Sequence, residues 1–230
     1  YNTAMGQGAL TGNTTASYNV AIGVNALQVN STGTANTVVG TFAGDAVTTG
    51  NYNTALGTYA LSALTTGSYS TAIGNGALNT QNFTTSTNAL NVAVGNSAGY
   101  AVTTGVQNTL IGAVAGDALT DADLNTAIGH NALSSDTLGS GSVAVGQGTL
   151  NSQNFTTATT SYNVAVGTSA GNAVTAGVQN TFVGGQAGDA VTTAVSTTVL
   201  GAEALSAEDT CLLYTSPSPR DLSTSRMPSS

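Results

Sequence analysis

Through residue 210 this chain contains no lysine, arginine, cysteine or proline, and tryptophan is absent throughout. Each absence removes a class of function. Without cations the chain cannot neutralise phosphates, the main source of non-specific nucleic-acid affinity, nor dock a polybasic segment on anionic lipid. No nucleic-acid partner is expected. Without cysteine there is no disulfide, thiolate nucleophile or thiolate metal ligand, and cysteine usage says nothing of redox compartment. No run approaches the roughly 18 apolar residues of a membrane helix, so direct membrane insertion of this segment is not expected. The charges up to residue 210 are nine acids, Asp45, Asp117, Asp121, Asp123, Asp136, Asp189, Glu203, Glu208 and Asp209.

The missing residue types do occur in the last twenty positions, which hold Cys211, both arginines and all three prolines. The run Cys211-Leu212-Leu213-Tyr214-Thr215-Ser216-Pro217-Ser218-Pro219-Arg220-Asp221 matches a translated transposon-end sequencing adapter. Residues 211–230 are therefore expected to be a non-native, disordered tail, outside any fold argument. Residues 1–210 are expected to be one repeat domain, an internal fragment open at both ends.

What fills those residues is one phrase repeated twelve times: a polar residue, Thr or Val, a small apolar residue, a large aliphatic, then Gly. The copies begin at Asn2, Asn19, Asn36, Asn53, Ser70, Asn91, Asn108, Asn125, Ser142, Asn163, Asn180 and Thr197, and are called coils one to twelve here. Nine of the eleven intervals between starts are 17 residues; the coils beginning at Ser70 and Ser142 are longer by four and carry nearly the same insert, Gln81-Asn82-Phe83-Thr84-Thr85 and Gln153-Asn154-Phe155-Thr156-Thr157. A unit of 72 residues results, with Asn19, Asn91 and Asn163 equivalent. A fixed short period indicates a solenoid, in which each unit buries its apolar side against its neighbours.

Within the phrase, the fourth position is a large aliphatic in every copy and the second is always Thr or Val. With the period of two of a strand these share a side, which is expected to face the core. The third position is usually Ala, with Val38, Leu110, Phe182 and Val199 as exceptions. Gly holds the fifth position in all copies, at Gly6, Gly23, Gly40, Gly57, Gly74, Gly95, Gly112, Gly129, Gly146, Gly167, Gly184 and Gly201. Because Gly weakens a strand interior, its repetition there marks a structural corner. Ala at the eighth position, replaced only by Thr149, is expected to point inward again. A second short strand is expected near Ala46 to Gly50 and Ala101 to Gly105. Helices are disfavoured by the Thr, Val, Gly and Asn content and by a period far below the 33 to 47 residues or so of helical repeats. The reading is all-β, a parallel β-solenoid of twelve coils about 17 residues long, a rod on the order of 50 Å at the usual spacing of strands. First-position Asn residues would form a polar ladder along it. So thin a coil encloses little volume, so association of chains is expected, with the Ala-rich third-position side as the seam.

The string Asn-Thr-Ala-Ile-Gly-x-x-Ala-Leu, complete from Asn125 to Leu133 and varied from Asn19 to Leu27, resembles the head repeats of YadA-like trimeric autotransporter adhesins and similar repeats of bacteriophage tail fibres. The resemblance spans residues 1 to about 205. It implies a left-handed β-roll in a homotrimer, at a bacterial cell surface or in a virion tail fibre, engaging a host surface glycan or protein. The usual head repeat, at about 14 residues, is shorter than the repeats here.

Catalytic and metal readings fare poorly on the residues themselves. His130 is the single histidine and has no matched acid or thiol. Asp45, Asp117 and Asp189 recur at 72-residue intervals, which four coils would separate by roughly 20 Å, so they cannot share one ion. Asp121 and Asp123 read as a solvated loop. Neither a nucleophile with its base nor a spaced carboxylate pair is recognisable. No enzyme activity, metal or cofactor is expected. The inserts, through Gln81, Asn82, Phe83, Gln153, Asn154 and Phe155, are the candidate ligand-contact loops; the structural alternative packs each Phe against a neighbouring chain. Asn13, Asn30, Asn82 and Asn154 head Asn-x-Ser/Thr triplets, a number expected by chance in so Thr-rich a chain. The leading expectation is a non-enzymatic adhesive or receptor-binding fibre segment. Alternatives are a spacer rod that binds nothing and, with less support, an ice-binding solenoid.

Overall fold

The computed structural model describes residues 1–206; the adapter-like tail and the last acids, Glu208 and Asp209, lie outside them. Twelve three-residue strands, one per coil, form a single parallel sheet: Thr3–Met5, Val20–Ile22, Thr37–Val39, Thr54–Leu56, Thr71–Ile73, Val92–Val94, Thr109–Ile111, Thr126–Ile128, Val143–Val145, Val164–Val166, Thr181–Val183 and Thr198–Leu200. Every strand pairs in register with the same phrase positions of the next coil, as Thr126 with Val143, Ala127 with Ala144 and Ile128 with Val145. The protein is an all-β parallel solenoid, with no helix among the described residues.

The corner after each strand follows from backbone crowding. The fifth-position glycines have φ between 127° and 144°, a region closed to side chains. At Gly129 a Cβ would stand 2.4 Å from the carbonyl oxygen of Gly146 in the next coil. Only hydrogen fits between stacked corners. Three more corners turn at the seventh, ninth and seventeenth positions, where even Leu27, Leu78 and Leu150 adopt φ of 48°. Left-handed backbone costs a leucine about 1–2 kcal/mol, and burial of its side chain, complete at these three residues, offsets it.

Which side of the strand faces inward departs from expectation. Third-position residues are the interior: Ala21, Ala72, Ala93, Leu110, Ala127, Ala144, Ala165 and Phe182 are fully buried. The second and fourth positions face outward, leaving Leu56 47%, Ile111 37% and Val166 38% exposed. Alternation groups residues by side but does not say which side is covered, and the narrow coil admits mostly Ala against its strand. An Ala-lined seam between chains is likewise ruled out, because that Ala row is closed inside one chain. The second strand also fails to form as a general feature. Ala46 to Gly50 and Ala101 to Gly105 are turns and bends, and only Gly67–Ser68 with Thr87–Asn88, and Gly139–Ser140 with Thr159–Thr160, add short parallel pairs at the inserts.

Third, eighth, ninth and twelfth positions fill the core. Their volumes compensate across coils. Where the third position is Leu110, Gly occupies the ninth position of its own coil (Gly116) and of the preceding one (Gly99), and Cβ atoms there would come within 2.8 and 2.7 Å of its methyls. Phe182 sits likewise between Gly171 and Gly188. One large side chain replaces two leucines.

The polar ladder exists, and it is internal. Buried Asn125 donates through Nδ2 to the Gly139 carbonyl of its own coil at 2.8 Å, while its Oδ1 accepts the Ser142 amide of the next at 2.9 Å. Asn19, Asn36, Asn53, Asn91, Asn108, Asn163 and Asn180 also donate Nδ2 to the carbonyl fourteen residues on. Each such side chain closes its own coil and supports the next.

Candidate functional site

The two inserts are built alike. Both lengthened coils begin with Ser rather than Asn, and a buried Gln supplies what the shorter hydroxyl cannot reach. Gln81 Nε2 donates to Ser70 Oγ at 2.8 Å and its Oε1 accepts from Asn91 at 3.4 Å; Gln153 does the same with Ser142 at 2.9 Å and Asn163 at 2.8 Å. Gln81 and Gln153 are thus interior braces, fully enclosed. The phenyl rings lie inside as well, with Phe83 5% and Phe155 7% exposed, packed where a Cβ on Gly67 or Gly139 would meet them at 2.7 Å. Each ring packs within its own chain. Of the six insert residues singled out, Asn82 and Asn154 alone are exposed, each accepting a threonine hydroxyl of the coil before, Thr65 at 2.6 Å and Thr137 at 3.1 Å. The sequence carried a signal for this arrangement, since Ser at the first position, Gln at the twelfth and the extra length always occur together.

The second insert holds a polar group that the first lacks. Asp136, fully buried, takes the place of Leu64, and Ser161 that of Ala89. Asp136 accepts the amides of Phe155 at 3.0 Å and Gly139 at 3.1 Å and the Gln153 side chain at 2.6 Å. Ser142 and Ser161 hydroxyls meet at 2.5 Å, and Ser161 donates onward to the Ser140 carbonyl at 3.1 Å. Burial pushes the Asp136 carboxyl above its ordinary range, against the opposing pull of those donors. No cation is present in residues 1–210 to balance it.

The remaining candidate side chains stay apart. His130 is exposed at a corner. Asp45 and Asp117 are half-buried, and loss of water raises both carboxyls above the usual range. Asp121 accepts the Thr104 hydroxyl, and Asp123 accepts the Val106 amide at 2.7 Å while its own amide donates to Ser140 Oγ at 3.0 Å, so both brace neighbouring coils. Among the described residues no three His, Cys, Asp or Glu side chains gather as metal ligands would.

A continuous outer face is the most extended feature. Its fourth-position row runs Met5, Ile22, Val39, Leu56, Ile73, Val94, Ile111, Ile128, Val145, Val166, Val183 and Leu200, with Thr or Val of the second position beside it. At the adjoining corner stand Tyr18, Tyr52, Tyr69, Leu90, Leu124 and Tyr162, 45 to 66% exposed, and Tyr52 stacks on Tyr69 at 5.0 Å. No charged residue occupies these three rows. With strands about 4.8 Å apart the face covers on the order of 500–700 Å², close to the roughly 800 Å² that one partner contributes to a standard interface.

No family model, curated protein or solved structure matches this chain.

Proposed function

We propose that this chain is a non-enzymatic segment of a self-associating surface fibre, an adhesin head or phage tail fibre, whose rods associate as a homotrimer through the outer sheet face. The observation that carries the reading is the uncharged rank of outward-facing aliphatics, half of them exposed and half of them half-buried, along all twelve strands. A lone soluble rod gains nothing from such a rank, because apolar patches of this size mark interaction sites. Identical ranks on three chains can meet without desolvating any charge. Receptor contact, with a host glycan or protein, then belongs to the acidic and hydroxyl-rich sides left outside the bundle. The setting that goes with this reading is extracellular, on a bacterial surface or a virion.

Light scattering on residues 1–210 tests it. The expected mass is three chains, and Val94→Lys with Ile128→Lys should return single chains that keep the β-sheet circular dichroism signal. A native chain that is monomeric at micromolar concentration would refute the trimer. The inward turn of Phe83 and Phe155 favours one second reading, a spacer that binds nothing. Glycan-array and cell-binding assays on the trimer separate the two.

A further inference from the structure

We infer that Asn82 and Asn154 are acceptor sites for asparagine-linked sugar, one in each lengthened coil, and that the fold distinguishes them from the other two Asn-x-Ser/Thr triplets of the chain. Asn30 is enclosed in the core and its Nδ2 donates to the Gly33 carbonyl at 2.9 Å. Asn13 is half-buried and its Nδ2 donates to the Ala16 carbonyl at 3.4 Å. Sugar on either nitrogen would displace a bond that holds its own turn, three residues on. Asn82 and Asn154 are the reverse case. Their backbone amides are tied to Thr103 and Thr175 at 2.9 Å, and their Oδ1 atoms accept threonine hydroxyls, which turns the other branch of each amide away from the coil. Among the described residues neither Nδ2 donates a hydrogen bond to the protein. Thr84 and Thr156, whose hydroxyls complete the triplet that transferases read, are exposed beside them. Phe83 and Phe155, the middle residues, anchor the triplets from below, so an attached sugar would stand off a fixed base.

The reaction uses a diphosphate-activated sugar and its transferase. The asparagine Nδ2 attacks the anomeric carbon and forms the C–N bond; the bond from that carbon to the diphosphate oxygen breaks, the diphosphate leaves with the electron pair, and the nitrogen loses one proton. Both sites lie in the thirteenth-position row, away from the aliphatic outer face, and four coils set them about 20 Å apart. Modification is therefore compatible with association of the rods, and the test does not depend on it.

The full chain is co-expressed with a soluble asparagine N-glucosyltransferase that uses the cell's UDP-glucose, purified from the soluble fraction, and examined by intact mass and peptide mapping. The expected product carries hexose at Asn82 and Asn154 and none at Asn30 or Asn13. Thr84→Ala should remove the first hexose, Thr156→Ala the second, with urea midpoints of modified and unmodified protein equal. The inference is overturned if peptides spanning Asn82-Phe83-Thr84 are modified but the chain is not. It is also overturned if soluble, folded protein carries hexose at Asn30 as often as at Asn82, or if modification at Asn82 and Asn154 abolishes folding.

Discussion

Replacing Phe182 by Ala and Gly188 by Leu, singly and together, would test whether core volume is traded between the third and ninth positions. Phe182 is fully buried, and a Cβ on Gly188 would fall 2.3 Å from its ring. Phe182→Ala alone should cost about 3–5 kcal/mol, as other buried aromatic truncations do. Gly188→Leu alone should cost about 2–5 kcal/mol, from overpacking of about 1–3 and left-handed backbone of about 1–2. The double variant recreates the Ala and Leu pairing that coils four, five and eight already use, as with Ala127 and Leu133. The space beside Gly171 stays open, so roughly 2–3 kcal/mol of the truncation cost remains, together with the backbone strain that Leu27 and Leu78 already carry. The two changes should thus couple favourably by about 3 kcal/mol, whereas independent sites add to within about 0.5. Urea unfolding followed by circular dichroism measures this, with the slope checked because repeat arrays can lose two-state behaviour. Additivity of the two substitutions would refute the compensation argument.

Three further outcomes follow from single contacts. Gly129→Ala forces a Cβ to 2.4 Å from the Gly146 carbonyl at φ 140°, so it should cost more than about 3 kcal/mol or prevent soluble expression; Gly185→Ala, which meets nothing within 4 Å, should leave the urea midpoint unchanged. Asn125→Ala strands the Gly139 carbonyl and the Ser142 amide in the interior, and at about 1–3 kcal/mol for each unpaired group the unfolding free energy should drop by about 3 kcal/mol. Asp136, its carboxyl raised by burial, makes the folded chain bind protons more readily than the unfolded one, so its contribution is lost as pH rises from the ordinary carboxylate range through the raised pKa. Giving the second insert the interior of the first, by Asp136→Leu with Ser161→Ala, should flatten the fall of urea midpoint as pH rises above the ordinary carboxylate range, relative to the parent chain; an unchanged slope would refute the contribution of Asp136.

The fold was legible because the phrase is local and exact in register: the spacing of Gly6, Gly23 and Gly40 alone aligns the strands that pair. What the sequence concealed was inside and outside. Both sides of Thr126–Ile128 are apolar, and size suggested that Ile128 goes in, yet a coil closing over one short strand leaves room for little more than Ala127 there. Gln81 and Gln153 were misleading for a related reason. Beside an aromatic and two threonines they suggested a binding loop, and although Ser, Gln and the extra length occur together, the bonds to Ser70 and Ser142, eleven residues back in the same coil, show only once the coil is closed. The expected second strand was lost to repeated left-handed corners, such as those at Leu61 and Tyr69, which interrupt extension before a ladder can grow.

The outward aliphatic row needs a cause other than the core, and strand propensity is the first to weigh. Val and Ile are enriched on pleated surfaces whether or not anything covers them, which would explain Val94, Ile111 and Ile128 without a partner. It does not explain Leu56, Leu200 or Met5, which lack the β-branch and are 47, 78 and 62% exposed, the last two on the terminal strands of the sheet. Nor does it explain why Thr, equally favoured in strands and more soluble, is confined to the second position and never enters the fourth. A row that admits Met and Leu but excludes Thr is selected for apolar area, and apolar area contributes free energy only when it is removed from water. Inside one chain that row is covered only in part. The trimer proposed above would supply the rest of that cover: a second and third copy, bearing the same uncharged row at the same spacing, would match it along its whole length.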